Sequence, residues 1–234
     1  MTTSSDTPKP QLRGVSHVGA FFGALAGTIS LAGHARAGPQ GRAVLVFGGS
    51  LVLLFAISSL YHRVDWTPAA RQWMKRLDHA AVFVAMAGGY TPLLALVASP
   101  SRGGHGALVA MWIGAAFGIA KSIAWPEAPA WVTALLCAAY GWLGGAAVLD
   151  RAGAVDTTTL GLFVVSGVIY TAGAVVYATR RPDPVPRIFG YHEVFHALVV
   201  AGTVSLFAHV GMLIDSANGA IPGQGPLLGQ HDLP

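Results

Sequence analysis

Residues 43–63 read AVLVFGGSLVLLFAISSLYHR. No charge interrupts the run from Ala43 to Tyr61, and it ends on His62 and Arg63. A helix crossing the ~30 Å hydrocarbon core of a bilayer needs about 20 mostly apolar residues. The run therefore reads as a membrane span. Six more stretches read the same way: Val15–Leu31, His79–Val97, Ala107–Trp125, Trp131–Leu149, Leu160–Tyr177 and Phe195–Ile214. The expected fold is an all-α membrane protein, a seven-transmembrane helix bundle over residues 13–216. Tails at 1–12 and 217–234 are polar or rich in Pro and Gly, and are expected to be flexible.

Composition agrees. Of 234 residues, 53% are hydrophobic and only 10% charged, and mean hydropathy is +0.57. A soluble domain carries about 25% charged residues, so this chain cannot cover a water-facing surface. Thirty glycines suit close helix packing in lipid. The pI near 9.5 does not imply nucleic acid, because the basic residues lie in short loops between apolar runs and serve as orientation signals. Membrane lipids are the expected surroundings, and the sequence assigns no oligomeric partner. Cys137 is the single cysteine. It permits no intrachain disulfide and no thiolate cluster, so it reads as a small packed hydrophobe. A metal site here must use His and carboxylate.

Lys and Arg near the span ends set the orientation. One side holds ten: Lys9, Arg13, Arg63, Arg71, Lys75, Arg76, Lys121, Arg180, Arg181 and Arg187. The other holds four: Arg36, Arg42, Arg102 and Arg151. The N-terminus is thus expected in the cytoplasm and the C-terminus outside, in a multi-pass protein of the plasma (inner) membrane. Ala35-Arg36-Ala37 resembles a signal-peptidase site, but the preceding apolar stretch is longer than a signal core. Between the second and third spans, WTPAARQWMKRL carries Thr67 as a cap and Pro68 at the first helical position. Trp66, Ala70, Trp73 and Leu77 then share a face, which predicts a short amphipathic helix on the cytoplasmic interface. A solvated basic turn is the alternative.

The orientation puts four metal-competent side chains at one depth. His62 ends the second span, Asp78 opens the third, and His192 and His196 open the last. On a helix, positions four apart share a face, so His192 and His196 point the same way, and so do Ser58 and His62. Ionisable groups within a membrane are costly and usually functional. Three imidazoles are a familiar catalytic zinc set with a fourth position left for water. Asp78 suits the general base for that water, and Ser58 suits a hydrogen bond to a ligand or a developing oxyanion. Interfacial histidines, and a zinc that only staples helices, are the bland alternatives. HEVFH, residues 192–196, also matches HExxH, which would make Glu193 the base of a metalloprotease. His17 reads as structural, His79 points away from Asp78 along the helix, and His209 lies too far along its span to join the metal.

The segments SSLYHR, LDHAAVFVAMAGGYTP and PDPVPRIFGYHEVFH resemble the bacterial hemolysin III family. That family is grouped with the progestin and adiponectin Q receptors and, more distantly, with the alkaline ceramidases. The resemblance covers about Gln11 to Asp215. It implies zinc ligands at His62, His192 and His196, Asp78 against the zinc-bound water, and Ser58 behind them. Eukaryotic relatives carry Gln at the position of Glu193, which argues against an essential base there. Many family members open the first span with Glu-x2-Asn-x3-His, of which LRGVSH keeps only His17. The long N-terminal domain of the animal receptors is absent, so hormone signalling does not transfer. The expected function is a zinc-dependent hydrolase of lipid amides or esters. A receptor-like regulator with structural zinc and a pore-forming cytolysin remain as alternatives.

Overall fold

The computed structural model describes residues 10–96, 104–150 and 156–219. Among them are seven helices: α1 Val15–His34, α2 Pro39–Arg63, α3 Pro68–Leu96, α4 Gly104–Ala124, α5 Ala130–Leu149, α6 Thr157–Thr179 and α7 Tyr191–Gly219. All seven positions expected from hydropathy are filled, and each helix is long and apolar enough to cross a membrane. The expected end of the third span, Val97, lies outside the described residues, as do most of both expected tails. α7 continues to Gly219.

α2, α3 and α7 form the centre. Phe47, Leu51 and Phe55 of α2 pack with Ala81, Ala85 and Leu93 of α3 and with Leu206, Val210 and Ile214 of α7. The outer face carries large apolar side chains: Phe22, Ile29, Phe117, Leu143 and Val204 are all exposed. Contiguous apolar surface on this scale requires a nonpolar solvent, as expected for a bundle held in lipid.

The contact between α2 and α3 depends on one missing side chain. A Cβ at Gly88 would lie 2.0 Å from Ser50 Oγ and 3.2 Å from the Val46 carbonyl oxygen. At Gly89 it would meet only Leu206 Cδ2, at 3.3 Å. Gly88 therefore lets the two backbones approach. Pro92 lies inside α3. At the opposite end of α6, Asp156 caps the helix by accepting from the Thr158 and Thr159 amides, both at 3.0 Å. The Thr159 hydroxyl and these amides hold its carboxyl below the usual aspartate value.

The amphipathic segment differs from expectation in form. It is not a separate interfacial helix but the first turns of α3, which runs unbroken from Pro68 to Leu96. No Gly or Pro follows Pro68 until Gly88, so nothing stops the helix where the apolar span begins. At 29 residues and 1.5 Å per residue it is roughly 43 Å long, which leaves its first turns beyond a ~30 Å core. The cap is as read from sequence: the Arg71 amide donates to the Thr67 carbonyl at 2.8 Å and the Ala70 amide to Thr67 Oγ1 at 3.4 Å. Trp73 and Leu77 are exposed, and the Arg76 guanidinium lies 4.5 Å from the Trp73 ring centroid.

Candidate metal centre

His62 comes from the last turn of α2, and His192 and His196 from the first two turns of α7. Their ligand-capable nitrogens all lie within 4.8 Å of one another. His62 Nε2 and His192 Nε2 are 3.3 Å apart. Ring centroids are 4.9 Å apart for His62 with His192 and with His196, and 4.5 Å for His192 with His196. A tetrahedral zinc with Zn–N bonds of about 2.0–2.1 Å separates its ligand nitrogens by about 3.3–3.4 Å. The His62–His192 pair stands at that spacing, and all three nitrogens lie close enough for the triad to hold a metal ion.

Asp78 reaches the same place from α3. It is hydrogen-bonded to the Ser58 side chain and lines the same cavity as His192 and His196. It does not belong to the group of ligand atoms within 4.8 Å, so it stands off from the triad rather than completing it. Ser58 is buried and lies one turn below His62 on α2. Its Oγ is also 2.9 Å from His17 Nδ1. A serine hydroxyl has one proton. With that proton on Asp78, the His17 Nδ1–H donates to Ser58, and the chain His17–Ser58–Asp78 is complete.

His17 touches two of the residues gathered here, Ser58 and His196. Its ring stacks on His196 at 3.7 Å and 12°, fixing the plane of a candidate ligand. His79 lines the cavity beside Asp78 without joining the triad. His209 sits far from the site, with Nδ1 2.6 Å from the Thr159 carbonyl oxygen, where it ties α7 to α6.

The structure gives Glu193 a different task from that of HExxH. One carboxylate oxygen pairs with Arg13 Nε at 2.5 Å. The other accepts from the Gly190 amide at 2.8 Å, as an acidic residue reaching back over a helix start does. The Gln11 and Leu12 amides donate to the carbonyls of Arg187 and Ile188 in the α6–α7 connection. The chain entering α1 is thus laced to the start of α7, beside the triad.

Gly14 was not legible as a site residue. It has φ of 78°, and a Cβ there would lie 2.6 Å from His62 Cβ. Both facts call for glycine. The sequence offers only a Gly before an apolar run, which reads as an ordinary helix start.

Two chambers meet at the imidazoles. One is a cavity of about 230 Å³ between α1, α2, α3, α5, α6 and α7, walled mostly by apolar side chains such as Leu54, Met86, Ala138, Phe163 and Val199. Cys137 lies in its wall. The other, of about 190 Å³, is polar and includes Arg13, Arg71, Lys75 and Arg180. Asp78, His79, Tyr177 and His192 line both.

Fold and site together define a seven-helix membrane protein with a histidine triad at one end of an apolar cavity. The chain belongs to the haemolysin-III related family, whose model matches residues 5–207. It is 27% identical over 164 residues to the hemolysin-3 homolog of Bacillus subtilis (strain 168), covering 69% of this chain and 72% of that protein. It is 26% identical over 165 residues to hemolysin-3 of Bacillus cereus, covering 70% and 72%.

Proposed function

We propose that the protein is a zinc-dependent hydrolase of lipid amides or esters, working at the inner leaflet of the plasma membrane with its N-terminus in the cytoplasm. One observation carries the reading: His62, His192 and His196 converge at the mouth of an apolar cavity that also presents Asp78. The excess of Lys and Arg at that end supports the orientation. An acyl chain fits the apolar chamber, which leaves its carbonyl near the triad.

His62, His192 and His196 hold the metal. Zinc bound there supplies a Lewis acid and lowers the pKa of a water toward 7. Asp78 takes the proton from the attacking water and returns it to the leaving amine or alcohol. Ser58 is a positioning residue: with its proton on Asp78, it aims the carboxylate, and the geometry favours this over an oxyanion contact. His17 steadies Ser58 by hydrogen bond and His196 by stacking. Apolar walls exclude bulk water from the bond being cut.

The pairing of Glu193 with Arg13 disfavours the metalloprotease reading. The apolar cavity disfavours a polar pore, although the Bacillus cereus relative is called a hemolysin. A metal that only ties α2 to α7 is the second reading, favoured by the same ligands spanning two helices. Purified protein with a panel of ceramides and phospholipids separates the two. The hydrolase reading requires turnover by wild type and none by Asp78→Asn at equal metal content. If fully loaded wild type does no better than Asp78→Asn on every lipid, the metal is structural.

A further inference from the structure

A polar chamber of about 190 Å³ adjoins the triad. It is lined by four cationic side chains, from three separate parts of the chain: Arg13 before α1, Arg71 and Lys75 on the first turns of α3, and Arg180 at the end of α6. Two of these charges are already answered, Arg13 by Glu193 and Lys75 by Glu127. Among the described residues neither Arg71 nor Arg180 has a carboxylate partner. Arg71 instead lies 5.3 Å over the Tyr61 ring, a contact that holds a guanidinium without neutralising it.

Arg180 is held there by an unusual backbone. It caps α6 with φ 56° and ψ 33°, the left-handed region that helices normally fill with glycine. Among the described residues it is the single non-glycine with positive φ. Strain of this kind persists where the surroundings impose it, and it clusters at ligand sites.

We propose that the ligand is a lipid with an anionic phosphate head. Its acyl chain lies in the apolar chamber, its carbonyl at the triad, and its phosphate between Arg71 and Arg180. Guanidinium groups suit phosphate because their N–H groups match its oxygens in pairs. The order of the chambers supports this, since Asp78, His79, Tyr177 and His192 line both of them and so stand between the apolar wall and the two arginines. It rests on the lipid reading above and adds the head group to it.

The test is equilibrium binding to full-length protein in neutral detergent, with Asp78→Asn as background so that turnover cannot intervene. The probes are 1-oleoyl lysophosphatidate, 1-oleoylglycerol and inorganic phosphate. The phosphate lipid is expected to bind roughly 10-fold or more tightly than the neutral one, with the advantage shrinking as salt rises. Arg71→Gln with Arg180→Gln should abolish that advantage and leave 1-oleoylglycerol binding unchanged, which also reports an intact fold. If the Gln pair loses both lipids, Arg71→Lys with Arg180→Lys decides, and it must still prefer the phosphate lipid. Equal affinity for the two lipids, or an advantage that survives the Gln pair, overturns the proposal. So does inorganic phosphate binding as tightly as the lipid, which would assign the chamber to the free ion. Failure of the hydrolase reading looks different, as phosphate-lipid binding without turnover in wild type.

Discussion

At the scale of single residues, Glu193 is the sharpest case of one sequence carrying two chemistries. HEVFH reads as a zincin motif, yet the carboxylate is bound by Arg13 and by the Gly190 amide. The fold thus uses it to fasten the start of α1 to the start of α7. Glu193→Gln should lower stability by about 1.5–3 kcal/mol, the range for a hydrogen bond to a charged group, while metal content and any lipid turnover persist. Thermal unfolding beside metal analysis checks this, and loss of turnover at full metal and unchanged stability would restore Glu193 as a base. The convergence of His62, His192 and His196 was legible because helical spacing and charge bias fix a face and a depth. Gly14 and the stacking of His17 on His196 were not, because they depend on how α1 leans against α2 and α7. One chain has no local signal for that.

At the scale of elements, the spans followed from hydropathy alone, and their ends did not. Hydropathy reports where lipid begins, whereas a helix stops only where backbone chemistry stops it. α3 therefore starts at Pro68 rather than His79. Close packing of α2 on α3 is equally local in cause. Gly88→Ala places a methyl against Ser50 and the Val46 carbonyl, an overpacking that costs about 1–3 kcal/mol. Gly89→Ala meets only the flexible end of Leu206. The thermal midpoint should fall clearly for Gly88→Ala and stay near wild type for Gly89→Ala. Equal midpoints for the two variants would mean that the helices are not held at this distance.

At the scale of the whole molecule, two solvents meet at one point. Apolar surface faces outward along the spans. A second apolar surface lines an internal chamber, and a basic vestibule opens at the same end as the histidines. Sequence could place the histidines at that end, but it could not show an apolar chamber behind them, because the walls come from six helices. The proposed chemistry requires the triad to bind a metal ion. The most direct measurement is the metal content of wild type purified without chelators, beside His62→Ala, His192→Ala and His196→Ala. The account predicts about one zinc per wild-type chain and a strong loss in each variant, since removing one of three ligands leaves too few to hold it. Wild type without metal, or variants that keep it in full, would contradict the account.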